Sequence, residues 1–172
     1  IGSTVTGCSA GTGGGVVNAV FSGAVTLIGS TVTGCSSQYG GVVYSSSSGA
    51  VSLIGSTVRD CSADHGGVVY ASSSESLSVA GVNFIDNSGS VASVLYLKGL
   101  TQSLCSSFCT EPQRSRISDS IIQPLHGGVT IQAINSPIDW DCSLGRWMPS
   151  EGALFGSISA PECYPCSAGY YE

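Results

Sequence analysis

Charge is what this sequence has least of. Asp, Glu, Lys and Arg together make up 9% of its 172 residues, the net charge is −6, and Lys98 is the only lysine. Without a basic stripe there is no electrostatic footprint for nucleic acid or for an anionic membrane surface. Long apolar runs are missing too, and none approaches the ~20 residues that a membrane helix needs. The first repeats contain no apolar stripe of helical period, which argues against helices there. The glycine run Gly11–Gly15 is not followed by Lys-Ser/Thr, so it is no phosphate loop. Asn135-Ser136 runs into Pro137 and forms no glycosylation acceptor.

What the sequence does have is repetition. The segment Ile28–Leu53, IGSTVTGCSSQYGGVVYSSSSGAVSL, follows a first copy at Ile1–Leu27 and precedes a third at Ile54–Val79. A fourth, Ala80–Gly99, keeps only the skeleton. Self-similarity at a fixed period marks a solenoid, in which each repeat stacks on the next and none is stable alone. Val25, Val51 and Leu77 form one apolar column, and Leu27, Leu53 and Val79 another, with Thr26, Ser52 and Ser78 between them. That is the period-two alternation of a strand with one buried face. A recurring glycine follows (Gly29, Gly55, Gly81), as a sharp bend requires. A second strand points Val5, Val32, Val58 and Phe84 inward. The third is the GGVV segment, Gly14–Val17, Gly40–Val43 and Gly66–Val69, answered by Ala92–Leu95. Three short strands per 26-residue repeat leave no room for a crossover helix. The expected fold is all-β: a right-handed parallel β-helix of four to five coils over residues 1–135, followed by a small disulfide-rich module over residues 136–172. Ile117–Ile134, with its own GGV at Gly127–Val129, is expected to form a fifth, distorted coil, with residues 105–116 looping out of it.

The eight cysteines fall into two groups. Cys8, Cys35 and Cys61 recur at the repeat period, and Asn87 takes their column in the fourth copy. In-register side chains on adjacent coils suit a disulfide poorly, and an odd count leaves one unpaired. Buried free thiols are therefore expected. The Phe84-Ile85-Asp86-Asn87 and GGVV motifs resemble the FxxN and GGA[ILV] repeats of polymorphic outer-membrane proteins and related right-handed β-helix proteins. That resemblance implies a buried ladder of Cys8, Cys35, Cys61 and Asn87 inside one bend. Cys105 and Cys109 lie in the polar insertion, and Cys142, Cys163 and Cys166 in the last residues. Cys142-Ser-Leu-Gly and Cys166-Ser-Ala-Gly-Tyr-Tyr resemble the openings of ephrin-receptor-like cysteine-rich repeats, which are extracellular and disulfide-bonded. The resemblance implies a Cys142–Cys163 bond and a Cys166 partner beyond Glu172; separately, Cys105 and Cys109 are expected to be disulfide-bonded within the 105–116 insertion. Opening inside a repeat, the chain is expected to be part of a longer protein.

Catalytic chemistry finds little support. Asp60 and Asp86 stack one period apart beside Arg59, whereas a glycosidase needs two carboxylates across a cleft and a lyase a calcium cluster. Both aspartates suit bends better. The Thr4-Val5-Thr6 and Thr31-Val32-Thr33 motifs resemble those of β-helical antifreeze proteins, but Thr57-Val58-Arg59 breaks the array. His65 and His126 stand alone in the sequence, and the one CxxC lacks further zinc ligands. No enzyme activity, cofactor or metal is expected. The expected role is that of an extracellular or cell-surface structural and adhesive protein, part of a filament or appendage, with other protein chains as partners and glycans second. Polysaccharide binding or degradation and ice binding are the alternatives. The expected interface is an outward row of Val42, Tyr44, Val68, Tyr70 and Tyr96. The opposite register would bury the tyrosines and spare Ala19, Ser45 and Ala71 from facing inward.

Overall fold

The computed structural model describes residues 1–100 throughout and, beyond them, six strands together with the side chains of Ile117 and Ile131–Ile134. Every repeat closes as one turn of a parallel β-solenoid, and hydrogen bonds join equivalent residues 26 apart. The first coil holds β1 (Thr4–Thr6), β2 (Val17–Val20) and β3 (Val25–Ile28). The second holds β4 (Thr31–Thr33), β5 (Ser36–Tyr39), β6 (Val43–Ser46) and β7 (Val51–Ile54). The third repeats this pattern with β8 (Thr57–Arg59), β9 (Ser62–His65), β10 (Val69–Ser72) and β11 (Leu77–Ala80). The fourth has β12 (Asn83–Gly89), β13 (Leu95–Lys98) and β14 (Ser115–Ser118). No helix occurs among the described residues.

Complete coils thus carry four strands, one more than the repeat pattern implies. The addition is β5 and its counterpart β9, SSQY and SADH, which are too polar to alternate visibly. The fifth turn begins with β15 (Ile121–Pro124) on β12, and continues with β16 (Ile131–Asp141) on β13. Ile117, expected to open that turn, pairs with Val79 and so completes the fourth coil. β16 runs past residue 135, and Ile138–Asp141 pair with β14. Antiparallel to β16 lies β18 (Leu154–Ile158), while β17 (Arg146–Trp147) pairs with β19 (Tyr164–Pro165). Cys105, Cys109, His126, Cys142, Cys163 and Cys166 lie outside the described residues.

The core is a stack of columns. Val32, Val58 and Phe84 are fully buried in one, Val51 and Leu77 in a second, Leu53 and Val79 in a third. Val43, Val69, Leu95 and Ile131 continue a fourth across four rungs. Burying such a side chain stabilises the fold by roughly 1.5–3 kcal/mol, and stacking like on like lets each coil fill the gap left by its neighbour. In the first coil Val20 and Phe21 are exposed.

Val42 and Val68, expected outward, are fully buried, as are Val43 and Val69. Alternation fails there because the chain turns a corner between the double glycine and β6. The N–H groups of both Val42 and Val43 donate to the Val68 carbonyl, at 2.9 Å each. Val68 and Val69 do the same to Val94. Two successive side chains therefore enter the core from one bend. Alternation resumes within the strand, so that Ser45 and Ala71 face inward and Tyr44 and Tyr70 lie half-buried on the outer face.

Candidate functional site

Three of the bends share one construction. A residue with left-handed backbone turns the chain, and the next residue sends its side chain inward. At the first bend Gly29 and Gly55 turn, and Ser30 and Ser56 enter. At the second the turning column is Gly7, Gly34, Asp60 and Asp86, and the inward column is Cys8, Cys35, Cys61 and Asn87. At the third Phe21, Ser47, Ser73 and Gly99 turn, and Ser48 and Ser74 enter. The inward group accepts a hydrogen bond from the N–H of its counterpart one coil earlier: Ser30 to Ser56 Oγ at 3.1 Å, Ser22 to Ser48 Oγ at 3.2 Å, Cys61 to Asn87 Oδ1 at 3.0 Å. It also donates to a carbonyl two residues back, as Ser56 does to Ile54 and Cys61 to Arg59. Buried main-chain N–H groups at a corner, where strand pairing breaks, thereby find acceptors.

The cysteine column is the most enclosed of these. Cys35 and Cys61 are fully buried free thiols, and Cys8 is half-buried and free. The Cys35 N–H donates to Cys61 Sγ at 3.4 Å, and the Asn87 amide donates to Val58 O at 2.9 Å. Burial pushes the Cys61 thiol up to about 12, and raises that of Cys35 as well. A protonated, enclosed thiol is a poor nucleophile, so this column is suited to holding the bend rather than to chemistry. Asp60 and Asp86 have left-handed backbone, and the Asp60 carboxylate accepts from Arg59 Nε at 3.0 Å at a half-exposed site. They are bend residues. Among the described residues no three His, Cys, Asp or Glu side chains converge.

The surface is distinctive at the fourth corner, the double glycine. Tyr44, Tyr70 and Tyr96 occupy one register position on β6, β10 and β13. Their rings stack, with centroids 5.3 Å apart at 15° and then 5.0 Å apart at 7°. Tyr39 and His65, which pair across β5 and β9, close against this row from the other side of the corner. Tyr39 meets Tyr70 at 5.2 Å and His65 at 5.4 Å, and His65 meets Tyr96 edge-on at 5.3 Å. Partial burial raises the Tyr70 hydroxyl above its ordinary value, and the adjacent Tyr96 and Tyr44 add to the effect. Tyr39 and His65 were not expected at any site. Their signal in the sequence is position: each stands directly before a double glycine, one repeat apart. Beside them lies a shallow depression of about 380 Å³, lined by Ser37, Ser62, Asp64, Ser88 and Ser90.

Compared with family models, with curated proteins and with solved structures, the chain matches none.

Proposed function

We propose that this chain is an extracellular structural or adhesive protein, part of a surface filament or appendage, acting by self-assembly through its outer tyrosine face. The observation that carries this reading is the aromatic cluster itself. Most outward positions around it are Ser, Thr or Gly, whereas here five rings are held together on a rigid double-glycine corner. Aromatic side chains with a polar tip give large contact area at low entropy cost, and they concentrate where proteins meet. The solenoid repeats the tyrosine on three successive rungs, between Asn18 and Gln132 at the same register position, so a partner meets a short row instead of a point. Placement outside the cell rests on the likeness of the repeats to polymorphic outer-membrane proteins and of the Cys142–Cys166 region to ephrin-receptor-like modules, an analogy of sequence.

Sedimentation over a range of concentrations tests the reading. The native chain is expected to self-associate, and Tyr44→Ser combined with Tyr70→Ser to leave folded monomers with unchanged circular dichroism. Association that survives the double substitution, or a native chain that stays monomeric throughout, overturns it. The depression lined by Ser62, Asp64 and Ser88 favours a second reading, glycan binding. Retardation of the protein in gels containing neutral or acidic polysaccharide, lost on Asp64→Ala, would decide for that alternative.

A further inference from the structure

We propose that the tyrosine stack is a site of oxidative modification, at which peroxide and a haem peroxidase join Tyr70 to Tyr96 as a dityrosine within one molecule, stapling the third coil to the fourth. The inference stands on ring geometry alone and is independent of whether the face also binds a partner. Tyr70 and Tyr96 are register partners on adjacent parallel strands, their ring centroids 5.0 Å apart and the planes within 7°. Coupling of two tyrosyl radicals ordinarily waits on a diffusional encounter. Here the backbone has already made that encounter, and a bimolecular step becomes intramolecular.

Tyr70 is the hub of the cluster. It touches Tyr44 at 5.3 Å, Tyr96 at 5.0 Å and Tyr39 at 5.2 Å, so a radical formed on any of the four phenols reaches it through ring contact. The rings are half-buried, which leaves edges open to an oxidant while keeping the partners in place. His65 packs edge-on to Tyr96, and its buried Nδ1 has no hydrogen-bond partner. A phenol is protonated at neutral pH, so its electron and proton leave together.

The step balances as follows. Each phenol gives up one electron and one proton, and the two tyrosyl radicals couple through ring carbons ortho to the oxygen. Shift of the ortho hydrogens to the oxygens restores both aromatic rings. The two electrons and two protons reduce one hydrogen peroxide to two waters.

The test treats the full chain with horseradish-type haem peroxidase and hydrogen peroxide at low protein concentration, separates the monomer, and maps cross-linked peptides by mass. The expected result is dityrosine fluorescence in the monomer and one dominant peptide pair, lighter by two hydrogens, joining the segments around Tyr70 and Tyr96. Tyr70→Phe and Tyr96→Phe keep the ring packing and should each lose most of that signal, while Tyr44→Phe should retain it. Cross-links found only between molecules, only at Tyr164, Tyr170 or Tyr171, or at undiminished yield in Tyr70→Phe overturn the proposal, as does an unmodified protein. Because the readout is a bond within the monomer, its failure is distinct from a failure of self-assembly.

Discussion

Two kinds of corner turn this chain, and they tolerate substitution very differently. At three of them the bend is made by a left-handed residue outside and, in the second and third coils, a hydrogen-bonding side chain inside; in the fourth coil Val82 and Leu100 take two of these inward places. The outside residue can be Gly, Asp, Ser or even Phe: Gly34, Asp60, Ser47 and Phe21 all serve. A Cβ at Gly55 or Gly81 would meet nothing within 4 Å. At the fourth corner the backbone packs directly on backbone. A Cβ built on Gly40 would lie 1.9 Å from Val43 O, and one on Gly41 2.2 Å from Gly67 O on the next coil. Side chains specify the first kind of corner, whereas in the first three coils their absence specifies the second; in the fourth coil Ala92 and Ser93 stand there, without left-handed backbone. That difference explains why the aromatic cluster sits at the fourth corner. With no side chain in the angle, Tyr39 and Tyr44 close over it from both flanking strands, their centroids 6.1 Å apart.

The sharpest way to break the comparison is Gly66→Ala against Gly81→Ala. Both positions have left-handed backbone, at φ +65 and +59. Strain from that conformation alone amounts to about 1–2 kcal/mol at either site. Only at Gly66 does the new Cβ fall 2.1 Å from a main-chain oxygen, Val69 O. Overpacking of a site that cannot yield adds about 1–3 kcal/mol, for a loss of about 2–5 kcal/mol against about 1–2 for Gly81→Ala. Denaturant titration of both variants measures the gap. Equal losses would mean that the two corners are not different in kind.

The next effect concerns what the inward side chain must supply. Serine already performs this task at two corners, so Cys61→Ser should cost under about 1 kcal/mol, since its hydroxyl can accept from the Cys35 N–H and donate to Arg59 O. Cys61→Ala strands that buried N–H and should cost about 2 kcal/mol. Alkali gives an independent reading of the same residue. The Cys61 thiol stands at about 12 in the fold against an ordinary value of 9.0, and the protonated form is the one the fold prefers. Its contribution is complete below pH 9 and is lost as pH rises from there towards 12. Unfolding midpoints of the native chain should therefore fall more steeply over that window than those of Cys61→Ser. Parallel curves would show that Cys61 does not titrate with unfolding. Cys35 and Tyr70 shift in the same direction, so it is the difference between the two proteins that isolates Cys61.

How much of this was legible in the sequence follows from the same contrast. The core columns were, because Val32, Val58 and Phe84 alternate with outward polar residues and recur at a fixed interval. The cysteine column was, because a rare residue type repeating at the period is conspicuous. The serine columns were not: Ser30, Ser56, Ser48 and Ser74 lie among many serines, and nothing in residue type separates a buried hydroxyl from a solvated one. Strand β5 was missed for a related reason, since Ser36, Ser37 and Gln38 present no apolar face. Val42 and Val68 misled because alternation holds only within a strand, and the corner inserts a second inward residue before β6 begins. Tyr39 and His65 differ in residue type, so only their shared place before the glycines tied them to the site.

The smallest expected effect is a gain. Asp60 has left-handed backbone, φ 53, where its column mates Gly7 and Gly34 are glycine. Aspartate visits that region more readily than most residues but still with some strain. What it contributes in return is an ion pair with Arg59 at 3.0 Å, both side chains about half exposed (49% and 48%). Such a pair contributes between nothing and about 1 kcal/mol and weakens with salt. Glycine relieves the backbone strain, but it also leaves the unfolded chain freer, which offsets part of the gain. Asp60→Gly should therefore be neutral at low salt and stabilising by up to about 1 kcal/mol once salt has screened the Arg59 contact. Arg59→Ala paired with Asp60→Gly separates the two contributions, because removing the arginine first should make the glycine substitution favourable at any ionic strength. If Asp60→Gly destabilises the protein in both backgrounds, the aspartate is making a contact beyond its bend and its neighbour, and the outer residues of these corners are less interchangeable than the range from Gly34 to Phe21 implies.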